Sequence, residues 1–148
     1  LLALTACNPY LQAESAQPPG RSARLDEVTG FWGTVKSYRL ELSRGVAIAI
    51  SCRMGSPCEH MRAVSDNPAI AEVRAASLGV LEKHPFSDTA QTSAAMVIVG
   101  KSTGTTKIHV DSKDGYREIA VTIIGSPGPT VSANPASAVA TDPASPGT

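Results

Sequence analysis

Aromatic residues make up only 4% of the 148 residues: three Tyr, two Phe and a single Trp. So few large rings suit short strands and turns rich in Ala, Ser, Thr, Gly and Val better than the core of a large enzyme. Net charge is missing too. Thirteen Lys and Arg balance thirteen Asp and Glu, so no overall field draws the chain to nucleic acid or to an anionic membrane surface. No apolar run approaches the roughly 18 residues of a spanning helix, and attachment to a bilayer would therefore need a covalent lipid. Catalytic patterns are absent as well: there is no Gly-x-Ser-x-Gly, no His-Glu-x-x-His and no glycine-rich phosphate cradle. Glu59-His60 and Glu82-Lys83-His84 set carboxylates beside imidazoles. Neighbours on a strand point to opposite faces, and both groups read as solvated surface. The expectation is a protein that is no enzyme, needs no cofactor and binds no nucleic acid.

What the chain does have is alternation. Tyr38, Leu40 and Leu42 alternate with Arg39 and Glu41; beyond Gly45, Val46, Ile48 and Ile50 alternate with Ala47, Ala49 and Ser51. Thr106, Ile108 and Val110 alternate with Lys107 and His109, Asp114-Gly115 marks a hairpin, and Ile119, Val121 and Ile123 follow with the same period. Period two with turn residues between the runs predicts an all-β sandwich of about seven short strands over residues 31–125. Only 69–81 admits a short helix, and Val73 and Val80 there suit short strands equally well. The flanks differ. Residues 7–30 include a polar, Pro-rich stretch from Asn8 to Gly20 with no sustained period, which reads as a flexible tether. Residues 126–148 carry Pro127, Pro129, Pro135, Pro143 and Pro146 among Ala, Ser and Thr, and read as a disordered tail that buries too little apolar surface to offset its ordering entropy. Phe31-Trp32-Gly33 precedes the first clear strand. An exposed sugar-stacking platform is one reading, and packing that seals the edge of the sandwich is the preferred one.

Leu4-Thr5-Ala6-Cys7 resembles the lipobox of bacterial lipoproteins. The resemblance implies that residues 1–6 end a signal peptide and that Cys7 becomes a lipidated first residue, tethering the protein to a membrane of the bacterial cell envelope. Asn8 follows where Asp would stand in retained lipoproteins, a pattern similar to that of export to the outer membrane, on its periplasmic or surface face. An exported compartment oxidises thiols, and with Cys7 lipidated two cysteines remain. Between Cys52 and Cys58, Gly55 and Ser56-Pro57 turn the chain, and a disulfide closing so short a loop contributes about 2 kcal/mol in the chain-entropy account. A metal site is the rival reading, because His60 lies two residues beyond Cys58. His84 and His109 belong to other segments, however, and no metal is expected.

Val64-Ser65-Asp66-Asn67-Pro68-Ala69-Ile70-Ala71-Glu72-Val73 resembles the "SSDPSVATV" signature of bacterial Ig-like domains of the group 2 type. Val97 to Val110 resembles their partner motif "TAVAPGTATITV". The likeness covers roughly residues 36–124 and implies an Ig-like sandwich that makes structural or binding contacts with another protein or an envelope polymer. Two departures stand out: the cysteine loop, and an apparent insertion at 82–93. Loop tips concentrate binding, so His84, Phe86, Asp88 and Gln91 become the candidate contact loop. The same residues are also similar to the N-terminal domain of pilus-type secretins, through Gly100-Lys101, Gly104-Thr105-Thr106, Asp111 and Asp114-Gly115. That second resemblance implies an accessory or assembly lipoprotein of a pilus or secretion machine.

Overall fold

In the computed structural model, which describes residues 8–76 and 94–126, the alternating runs form two packed sheets. Among the described residues ten strands follow in order: β1 (Tyr10–Ala13), β2 (Ala23–Thr29), β3 (Val35–Ser43), β4 (Ala47–Met54), β5 (Ser56–Pro57), β6 (Arg62–Ser65), β7 (Ala71–Ala76), β8 (Ala95–Gly100), β9 (Gly104–Ser112) and β10 (Gly115–Ile124). One sheet runs β1-β4-β8-β7 with β5 paired to β4; the other runs β2-β3-β10-β9-β6. All pairs are antiparallel except β3 with β10, in which Tyr38 to Ser43 run parallel to Ile119 to Ile124. Seven of these strands, β3, β4 and β6 to β10, reproduce the Ig arrangement, one sheet of the B-E-D kind facing one of the C-F-G kind. The expected Ig-like sandwich is therefore present, with β1, β2 and β5 added to its seven strands.

Period two drives the packing. Leu40, Leu42, Ile48, Ile50, Ile98, Ile108 and Ile119 are fully buried between the sheets, each aliphatic contributing about 1.5–3 kcal/mol by leaving water. Residues 71–76, which admitted a helix or a strand, are strand β7 paired with β8. The hairpin expected at Asp114-Gly115 is present one residue earlier: Lys113 and Asp114 make the turn, and Gly115 opens β10 opposite Ser112.

The tether reading is corrected. Residues 10–13 and 23–29 are β1 and β2, so the sandwich takes in residues 10–124 instead of starting at 31. Pro9 and Leu11 are buried, and the Leu11 amide donates to the Tyr38 hydroxyl at 2.9 Å. Farther on, the Glu14 amide donates to the Ala49 carbonyl at 2.8 Å, and the Ser43 amide to the Ser22 carbonyl at 2.8 Å. These segments lack hydrophobic period because they are outermost strands of their sheets, held by main-chain ladders and polar contacts more than by an apolar face. Of the expected tail 126–148 only Ser126 is described, its hydroxyl donating to the Arg44 carbonyl at 2.8 Å; the rest, like residues 1–7, lies outside the described residues.

Strand directions give the sandwich two unlike ends. The entry end gathers Asn8 and Pro9, the β2–β3 connection, the β9–β10 hairpin and the Cys52–Cys58 loop. The exit end gathers the β3–β4 turn at Arg44-Gly45, the β8–β9 turn and Ser126. No helix among the described residues is long and apolar enough to cross a membrane.

Candidate functional site

The entry end is held by one charged residue placed where the pattern calls for an apolar one. Arg117 has the same parity as Ile119, Val121 and Ile123, so its side chain points inward, and it is 5% exposed. Its Nε donates to the Pro9 carbonyl at 2.7 Å and a terminal nitrogen donates to the Val35 carbonyl at 3.0 Å. Buried charge persists only when its hydrogen-bonding capacity is used. Here that use ties β10 to β3 and to the first residues of the described chain. Next to it, burial pushes the Tyr38 phenol above its ordinary value of 10.0, with the bond from Leu11 working the other way. The phenol therefore stays neutral and accepts from the backbone.

Above this lock sits a turn that breaks a backbone preference. Phe31–Gly33 forms a single 3-10 turn between β2 and β3, with φ of 72° at Trp32 and 71° at Gly33. Two successive positive φ values belong to primed hairpin turns, where Asn or Gly normally stands first. A residue with a Cβ costs about 1–2 kcal/mol in the left-handed region. The Gly30 amide closes the turn on the Thr34 carbonyl at 2.8 Å. Phe31 and Trp32 meet edge to face, centroids 5.4 Å apart, and are 87% and 90% exposed. The preferred reading of Trp32 as an edge seal is thus wrong. Pro9, Leu11 and Tyr38 close that end of the core, and the turn carries the indole away from it. Beside the pair opens a cleft of about 560 Å³ lined by Asn8, Gly30, Phe31, Val35, Lys36 and Arg117, among others.

The cysteine loop stands at the same end. Cys52 and Cys58 are joined by a disulfide with Cα atoms 5.4 Å apart, both buried, and the Cys58 amide donates to the Cys52 carbonyl at 3.0 Å. Glu59 and His60 follow in a turn, not on a strand, His60 with φ of 52°. Glu59 pairs with Lys113 at 2.6 Å; that hydrogen bond holds the carboxyl below its ordinary value of 4.5 and the ammonium above 10.5. Cys7 and the loop residues His84, Phe86, Asp88 and Gln91 lie outside the described residues.

The outer face of the β2-β3-β10-β9-β6 sheet is a ladder of paired charges. Arg24 meets Asp26 at 2.8 Å and Lys107 meets Glu118 at 3.0 Å. His109 spans from Asp66, 2.9 Å from its Nε2, to the Tyr116 hydroxyl on its Nδ1. This last chain was not legible beforehand, because Asp66 and His109 are 43 residues apart. It ties the segment after β6 to β9 and β10. Among the described residues no group of three or more His, Cys, Asp or Glu could hold a metal ion.

No family model and no curated protein matches the chain. Among solved structures it is similar to domains 4 and 5 of the S-layer protein SbsC, with 14% identity and a TM-score of 0.40, covering 79% of this chain and 54% of that one. It is also similar to a structure of domains 4–9 of that surface layer protein, with 15% identity and a TM-score of 0.42, covering 74% of this chain and 15% of that one.

Proposed function

We propose that this protein is a non-catalytic, lipid-anchored component of a bacterial cell envelope, an Ig-like domain making structural or binding contacts with another protein or an envelope polymer.

 The observation that carries the reading is the outer ladder: Arg24 with Asp26, Lys107 with Glu118, and Asp66 with His109 and Tyr116 satisfy one another across an open sheet. Side chains engaged with one another in this way offer a fixed pattern of charge to the surface of a partner. The anchor rests on the lipobox-like Leu4-Thr5-Ala6-Cys7. Cys7→Ser should move the protein from the detergent phase to the aqueous phase on partitioning of envelopes. Unchanged partitioning would remove the lipid from the reading.

The alternative, an assembly lipoprotein of a pilus or secretion machine, draws support from β2. Its seven residues lie at the open edge of their sheet, a template on which another strand can pair. Co-purification of a secretin or pilus subunit from solubilised envelopes, lost when Pro replaces Asp26, would favour it over the first reading.

A further inference from the structure

Phe31 and Trp32 are 87% and 90% exposed, although water is an unfavourable surrounding for both rings and the backbone at Trp32 is strained. Exposure and backbone strain on one aromatic pair single it out as a candidate contact site. Its position names the class. Asn8 lines the same cleft as Phe31, and Pro9 is buried with its carbonyl fixed by Arg117 at 2.7 Å. The residue before Asn8 is one peptide unit, about 3.8 Å between Cα atoms, from that rim. A lipid on Cys7 would therefore reach the bilayer beside the aromatic turn, with no slack chain to lift the domain away.

We infer that Phe31 and Trp32 dock into the headgroup region of the membrane that holds Cys7, so that the domain sits on the bilayer by its entry end instead of swinging on a tether. The inference rests on the lipid-anchored reading above. Tryptophan and other amphipathic rings favour the boundary between headgroups and acyl chains. Lys36, exposed in the same cleft, has a long stem that lets its ammonium stay among phosphates while the rings go deeper. The lipid retains the protein; the aromatic turn orients it. Contacts with other envelope components then fall to the sheet faces and the exit end.

The chain's single Trp makes the test direct. Full-length lipidated protein is placed in vesicles of phosphatidylethanolamine and phosphatidylglycerol, and Trp32 emission is read with aqueous iodide and with lipids brominated on their acyl chains. Expected are a blue shift, quenching by bromolipid, and a loss of iodide quenching of about fivefold or more against Cys7→Ser protein in solution, as follows when an exposed ring enters the interface. Phe31→Ser, at a position exposed enough to leave the fold alone, should reduce bromolipid quenching at least about twofold. Trp32 as open to iodide on vesicles as in solution would overturn the docking while leaving the anchor intact. So would a shift produced by soluble glycan chains and not by vesicles, which would assign the pair to sugar stacking. Failure of the anchor shows separately, as wild type and Cys7→Ser remaining alike in vesicle retention.

Discussion

The two ends of the sandwich solve the same problem, closing a core, by different means. At the exit end the β3–β4 turn is made by Gly45, whose φ of 79° needs a residue without a Cβ, and its amide donates to the Gly100 carbonyl at 2.8 Å. Gly100 in turn lets the strands close in, since a Cβ there would stand 3.0 Å from the Ser43 carbonyl oxygen. At the entry end, positive φ falls on Trp32 and His60 as well as on glycines, and a disulfide and a buried guanidinium hold the same end together. The exit end turns on glycines and main-chain hydrogen bonds, with the Ser126 hydroxyl on the Arg44 carbonyl beside them. The entry end holds an unfavourable turn in place, which is the pattern of a site retained for what it touches.

The contrast can be broken most forcefully at Arg117. Arg117→Ala leaves the Pro9 and Val35 carbonyls without their donors and opens a cavity, and should lower stability by about 2–4 kcal/mol in denaturant unfolding. Gly45→Ala at the exit end should cost about 1 kcal/mol. An Arg117→Ala loss no larger than that of Gly45→Ala would erase the distinction between the ends. Next in size is the paired change Cys52→Ala and Cys58→Ala, which should cost about 2 kcal/mol through the freed loop; an unchanged unfolding midpoint under oxidising conditions would show that the loop is held without its crosslink. Smallest, and opposite in sign, is Trp32→Gly. Relief of the left-handed backbone should exceed the entropy that glycine adds to the unfolded chain, giving a gain of about 0.5–1 kcal/mol. A loss would mean that the indole packs usefully and that the strain has another explanation.

The middle of the chain was legible because its strands are two-faced. Tyr38 to Leu42, Val46 to Ile50, Ile108 to Val110 and Ile119 to Ile123 each bury alternate side chains, so period two carried through to β3, β4, β9 and β10. β1 and β2 were not legible. Leu11 is the only buried residue of β1, and its pairing with Cys52, some forty positions away, leaves no local trace. Arg117 left a signal that composition hides: a charge in phase with three core residues, which marks either an interrupted strand or a satisfied buried cation. Trp32 was misjudged because exposure depends on the direction of a turn, and no pattern in Phe31-Trp32-Gly33 states that direction.

The chain enters the sandwich through Asn8, on one end, and leaves it through Ser126, on the other. Both β1 and β10 run from the first end toward the second, as their registers with β4 and β3 require. A pull between an anchor before Asn8 and a partner beyond Ser126 would act along these strands, drawing β1 and β10 lengthwise in opposite senses. Hydrogen bonds between strands slid along their length must fail together, whereas those peeled from one end fail in turn. The parallel β3–β10 ladder, from Tyr38 against Ile119 to Ser43 against Ile124, would then act as a shear clasp, and its slow forced opening would set how long the domain bears a load.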